Sequence, residues 1–240
     1  MKRASILFTF ILLFLGLGCC NKLKAQSTVG TDFWVTFLPN ENSEDFNISL
    51  IASGKRDCVV NVSNPYTDWS QIFNVSAGNT TKISIPKEHA FDAEASDQVI
   101  KRAIRITTTD SISLYASNYE QYSFDVTNIL PTTSLGSNYI IQTYEGYSEF
   151  SIIATENNTT VNINLSENSL GHNANQPFTV TLNTGECYQV QSGEGIDFSG
   201  TTITSEDNKK IAVFAGNKNA RVPVSSGETD LLSEQMVPTS

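Results

Sequence analysis

Short runs of β-branched and aromatic residues recur along this chain every 8–12 residues, and no other feature constrains the fold as strongly. They read Ile48–Ala52, Cys58–Ser63, Gln71–Val75, Thr81–Ile85, Ala103–Thr107 and Ile112–Ser117. In Lys82-Ile83-Ser84-Ile85 and in Arg102-Ala103-Ile104-Arg105-Ile106-Thr107, apolar and polar residues take turns. Period-two alternation puts one face of a strand on a core and the other in solvent. Turn formers separate the runs: Ser53-Gly54-Lys55, Ser63-Asn64-Pro65 and Ser76-Ala77-Gly78-Asn79. No segment carries an apolar stripe of period 3.6, and His89 to Val99 reads as one short helix or a loop. The expectation is an all-β fold of sandwich-like modules rather than βαβ units.

Composition removes several functions. The formal charge is −10 over 240 residues, which leaves no basic footprint for nucleic acid. Thirteen Phe, eight Tyr and two Trp are too many for a disordered polymer. Two His and four Cys offer little for a metal cage, so neither a metal nor another cofactor is expected.

The first residues read as an address. Lys2 and Arg3 precede an apolar run from Ile6 to Gly18, too short to cross a bilayer core that needs roughly 20 residues. Residues 1–25 are therefore expected to be a signal peptide cut after Ala25, with lipoprotein processing at Cys19 or Cys20 as the rival. No later stretch is apolar enough to predict an integral membrane segment. Removing the leader leaves 11 basic against 25 acidic residues, a charge of −14 over 215 residues. Only Cys58 and Cys187 then remain, and buried core thiols are favoured over a bridge.

The chain also repeats itself. Val59–Ser63 returns as Thr160–Asn164, Phe73-Asn74-Val75 as Phe178-Thr179-Val180, Ile112–Asn118 as Ile211–Asn217, and Ile129–Thr133 as Met236–Ser240. The offsets are 101, 105, 99 and 107, so order holds while loops change length. This predicts two related β-modules, 28–131 and 132–240. If the strand that follows Pro131 belongs to the module, the second copy lacks it after Pro238.

Gly30-Thr31-Asp32-Phe33-Trp34-Val35-Thr36-Phe37 resembles the opening G-x-x-F-W-x-x-F of the IgGFc-binding protein N-terminal domain family. The segments Ser113–Tyr119, Ser123–Pro131, Glu149–Val161 and Lys209–Asn217 are similar to further motifs of that family. The resemblance covers about Gly30 to Ser240. It implies a secreted or cell-surface part that binds or adheres; in animals the name attaches to a mucus glycoprotein that binds the Fc part of immunoglobulin G. One stretch departs from the pattern. Asn219, Ser225 and Thr229 stand where family cysteines are expected and Leu231 where a His is, while Glu234-Gln235-Met236 survives.

No catalytic pattern stands out. Glu145 and Glu149 flank Gly146-Tyr147-Ser148 and could act as a glycosidase pair, against the simpler reading of a solvated loop. A Ser–His–acid triad through His89 or His172 needs geometry that spacing does not supply. Asp92, Glu94 and Asp97 lack the ligand order of a calcium loop and read as solvated, as does Ser205-Glu206-Asp207-Asn208. Asn-x-Ser/Thr sequons and Asp110-Ser111-Ile112 are too short to carry weight. Trp34 and Tyr115, framed by alternating apolar residues, are expected in the core. Trp69 at a turn, and Tyr119 and Tyr122 in a loop, are the candidate binding residues. The leading expectation is a secreted, non-catalytic protein whose partner is an extracellular protein or glycan. A glycan-active hydrolase and a structural segment of a surface array are the alternatives.

Overall fold

The computed structural model describes residues 26–40 and 47–239, so the predicted leader lies outside the described residues. The first half of the chain supplies β1 (Val29–Val35), β2 (Asn47–Gly54), β3 (Cys58–Ser63), β4 (Ser70–Val75), β5 (Thr80–Ile85), β6 (Gln98–Ile100), β7 (Ile104–Glu120) and β8 (Ser123–Ile129). The second supplies β9 (Asn138–Ile140), β10 (Gly146–Ala154), β11 (Thr159–Asn164), β12 (Phe178–Leu182), β13 (Cys187–Gln191), β14 (Thr202–Ser205), β15 (Ile211–Ala220) and β16 (Asp230–Gln235). The described helices are single turns, at Lys87–Ala90, Thr132–Ser134 and Glu206–Asn208. The protein is all-β, and its described strand pairs are antiparallel.

Two runs read separately in the sequence, at 103–107 and 112–117, form one strand, β7, of 17 residues. The link Thr107-Thr108-Thr109-Asp110-Ser111 contains no Gly or Pro to break it. Local side-chain bonds hold the junction: Thr108 Oγ1 donates to the Asp110 carbonyl at 2.8 Å, and Asp110 Oδ1 accepts from the Ser111 N–H at 2.7 Å. There β7 changes partners. Its first part lies between β1 and β3, and its second part between β2 and β8. The sheet order is β4-β3-β7-β2-β5, with β1 and β8 attached to β7.

The second half splits the same plan into two sheets, β16-β15-β10-β13-β6 and β12-β11-β14-β9. The first of these is buried on both faces. Phe150, Ile152, Val190, Val213 and Ala215 face β9, β11 and β14 through a core with Tyr139, Val161, Ile163 and Ile203. Ile153, Cys187, Ala212 and Phe214 point the other way and join the core of the first half, with Trp34, Leu50, Ile83 and Leu114. Strand alternation serves two cores here, so Phe150-Ser151-Ile152-Ile153-Ala154 and Ile211-Ala212-Val213-Phe214-Ala215 are buried without a break. Cys58 and Cys187 are free and buried, and burial pushes the Cys187 thiol up to about 12.

The pairings of the two halves correspond strand by strand. β1 pairs with early β7 as β9 pairs with β14. β2 pairs with late β7 as β10 pairs with β15, and β5 lies on β2 as β13 lies on β10. The hairpins β3–β4 and β7–β8 match β11–β12 and β15–β16. By this register Phe73, opposite Val60, corresponds to Val180, opposite Val161, and not to Phe178.

β8 and β16, which end their sheets, are stitched to each other through side chains. Asp125 Oδ2 accepts from the Ser233 N–H at 2.7 Å, and Thr127 Oγ1 from the Gln235 N–H at 2.9 Å. In return Gln235 Oε1 accepts from the Leu130 N–H at 2.7 Å. Side chains thus satisfy strand-edge donors that would otherwise invite pairing with another chain. β6, which precedes β7 in sequence, crosses to pair with β13 in the second half.

Candidate binding surface

The β7–β8 hairpin closes with two residues, Gln121 and Tyr122, between the paired Glu120 and Ser123. So tight a turn demands left-handed backbone, which Gly or Asn accepts at least cost. Here Tyr122 takes it, with φ 77°. Its side chain is 90% exposed, and its hydroxyl accepts from Gln121 Nε2 at 3.0 Å. Behind the tip, Tyr119 and Phe124 face each other across the strands, ring centroids 5.8 Å apart and edge to face. They are 49% and 50% exposed. Four residues further back along β7, Tyr115 is 41% exposed on the same face. That corrects the sequence expectation of a core Tyr115. Its neighbours Leu114 and Ala116 take the core positions, and the period-two phase turns Tyr115 outward. Trp34 is buried as expected, under the Arg105 guanidinium 5.5 Å from its ring. Arg105 is held by a two-pronged contact to Asp32, at 3.1 Å on each oxygen.

Trp69 lies elsewhere. It follows β3, whose end pairs with the start of β7, whereas Tyr119 and Tyr122 lie at the finish of β7. Trp69 is half-buried against the first core and stacks on His89, centroids 5.2 Å apart. The structure brings Tyr119 and Tyr122 together and leaves Trp69 apart.

The carboxylates considered for hydrolysis do not share a cleft. Glu145 is exposed and lines a hollow of about 250 Å³ with Tyr147, Glu194, Asn219 and Arg221, and Glu149 is not among its walls. Glu149 is fully buried on β10, and neither carboxylate oxygen has a hydrogen-bond partner among the described residues. Burial holds its pKa well above the usual carboxylate range, against a smaller downward pull from Lys218. The protonated acid is the form that the interior tolerates. His172 stacks on Phe178 at 3.7 Å between centroids, with Nε2 3.2 Å from the Tyr188 hydroxyl. The nearby Ser169 hydroxyl donates to Asp97 at 2.7 Å rather than to the imidazole ring. His89 Nδ1 meets Thr67 Oγ1 at 3.4 Å. Neither ring is placed to take a proton from a serine. Asp92 and Ala95 use backbone carbonyls, not side chains, to accept from Gln189 Nε2 at 3.0 and 2.7 Å. Among the described residues no three His, Cys, Asp or Glu side chains gather closely enough to hold a metal ion.

Tyr115 and Phe124 were missed from sequence, and the signal for them was present. Once Tyr119 is placed outward, strand parity carries Tyr115 with it, and the two-residue turn carries Phe124.

The family model described as IgGFc binding protein matches residues 125–240. The human protein named "IgGFc-binding protein" is 24% identical over 248 aligned positions, covering 98% of this chain and 4% of that protein. The chain therefore spans a small fraction of the relative's length. The matched region begins within β8 and contains every strand of the second half, including the Gln235 that ties β16 to the first half. Over residues 125–240 the chain is thus similar to the IgGFc binding protein family.

Proposed function

We propose that this is a secreted or cell-surface, non-catalytic binding protein that holds an extracellular protein or glycan on the outer face of β7 and β8. The observation that carries the reading is Tyr122. A bulky aromatic in left-handed backbone costs about 1–2 kcal/mol relative to ordinary conformations. At 90% exposure it repays none of this by packing in the fold. With Tyr119, Phe124 and Tyr115 it forms a wet aromatic strip on a hairpin, the composition found at the centres of protein and sugar contacts. The family match and the printed name of the human relative support binding as the general activity. Immunoglobulin and mucin are accordingly the first ligands to try.

The two halves are read as copies of one module, 28–131 and 132–240, behind a leader of residues 1–25. The strand-by-strand correspondence of their pairings supports this, together with the three ordered sequence matches that agree with the register. Trp69 belongs to a second aromatic position at the far end of β7. The test is retention of the chain on immobilised immunoglobulin Fc and on mucin, compared with Tyr119→Ser and Tyr122→Ser. Loss in both variants, with unchanged folding by circular dichroism, supports the surface. Retention equal to the parent chain defeats it.

A further inference from the structure

In the second half, the outer edge of β13 is occupied. Gln98–Ile100 pairs with Cys187–Gln189, the Asp97 N–H donates to the Gln189 carbonyl at 2.7 Å, and the Gln191 N–H donates to Ser96 Oγ at 2.9 Å. Side chains add to the seat. Gln189 Nε2 reaches the Asp92 and Ala95 carbonyls, and Gln191 Nε2 reaches those of Ala93 and Ala95 at 3.0 and 2.8 Å. Residues 92–100 therefore lie as an acidic segment along the edge of that sheet, bent at Asp97 with φ 54° and extended over Gln98–Ile100.

β5 is the strand that corresponds to β13. Ser84, opposite Ser49, stands where Gln191 stands opposite Glu149, and Lys82, opposite Ile51, stands where Gln189 stands opposite Ser151. The backbone groups of Gln189 and Gln191 face β6, so those of Lys82 and Ser84 face outward, away from β2. No described residue outside β2 forms a backbone pair with Thr80–Ile85. Lys82 and Ser84 are exposed, and beside them runs a groove of about 470 Å³ lined by Asn47, Ser49, Lys82, Ser84 and Tyr119. Across the sheet, exposed Tyr115 stands opposite Ile51 as buried Phe214 stands opposite Ser151. On the face that the second half presses against its neighbour, the first half thus exposes Lys82, Ser84 and Tyr115 while burying Ser49 and Ser117, among the described residues, and an ammonium replaces an amide at its edge.

We propose that the outer edge of β5 is a strand-acceptor site for an extended, acidic segment of a partner protein, seated as residues 92–100 are seated on β13. The inference rests on reading the two halves as copies. Main-chain pairing to Lys82 and Ser84 supplies affinity, and Lys82 supplies a donor for the segment's carbonyls and carboxylates. The test uses the whole chain from Gln26 and a fluorescent peptide with the sequence of Phe91–Ile100, followed by anisotropy. Saturable binding is expected, weakened at least tenfold by Ser84→Pro, which removes an edge N–H and spares the pairing with β2. Lys82→Glu, on an exposed side chain, is expected to weaken it similarly without disturbing the fold. Tyr122→Ser is expected to leave peptide binding within twofold, so failure of the aromatic strip and failure of this site are told apart. No binding to the parent chain overturns the proposal. Binding that survives both edge variants places the peptide elsewhere, by exchange at β13, and also overturns it. Self-association of the parent chain that is lost in Ser84→Pro assigns the edge to a second copy and overturns it too.

Discussion

Glu149→Gln isolates the consequence of burying a carboxyl with no partner. Glu149 lies between the two halves, on the face of β10 that also carries Ser151 and Ile153, and neither of its oxygens is hydrogen-bonded to a described residue. Burial raises its folded pKa, while the unfolded side chain titrates near the ordinary value of about 4.3. Below that value both states are protonated and the group contributes its full stability. Above it, the folded state keeps a proton that the unfolded state has released. Stability therefore falls as pH rises toward the folded pKa, by about 1.4 kcal/mol per pH unit at full difference. Gln has nearly the same shape and does not titrate. Urea unfolding of parent and variant at fixed ionic strength, from about pH 4 upward, should give similar stabilities at the acid end. The variant should gain about 1 kcal/mol or more for each unit across the window. Lys218→Met removes the opposing positive charge and should widen the window. A difference between parent and Glu149→Gln that stays constant with pH would refute the reasoning, because it would mean that the carboxylate is charged and satisfied in the fold.

Other residues make further tests. Tyr122→Gly should raise unfolding stability by about 1 kcal/mol while abolishing ligand retention, since glycine relieves the left-handed strain and removes the contact; a thermal melt and the retention assay read the two effects. Trp34→Ala, at a buried position capped by Arg105, should cost about 3–5 kcal/mol in chemical denaturation. At Gly216 a Cβ would meet the Leu232 carbonyl oxygen at 1.7 Å. Gly216→Ala should therefore detach β16 from β15, seen as faster amide exchange confined to 230–235. Asn217→Ala removes bonds to both the carbonyl and the N–H of Tyr144, and should cost about 1–3 kcal/mol.

The sequence was most legible where alternation is clean. Cys58–Ser63 and Thr81–Ile85 were read nearly to the residue, because each has one wet face and turn formers at its ends. It was least legible where tertiary contact overrides local pattern. The Thr-rich link through Asp110 carries no breaker, yet it lies between two runs that look complete, so one strand was read as two. Glu149 stood beside Glu145 in a segment that looked like a loop. Only the second layer packed on β10 shows that one is inside and the other outside. The crossing of Gln98–Ile100 to β13 had no local signature, since three residues set no period. For the aromatic strip, the turn exposed Tyr119 and Tyr122 to inspection, but the outward phase of Tyr115 depended on which residues its strand neighbours bury.

In the proposed function the β7–β8 aromatic strip makes the contact with ligand. Its most direct measurement is the affinity of the chain from Gln26 for the ligand that retains it, immunoglobulin Fc or mucin, by surface plasmon resonance, against the double variant Tyr119→Ser, Tyr122→Ser. These side chains are exposed and leave the core intact, so the fold should persist while affinity drops by at least tenfold. An unchanged dissociation constant in a folded double variant would contradict the account.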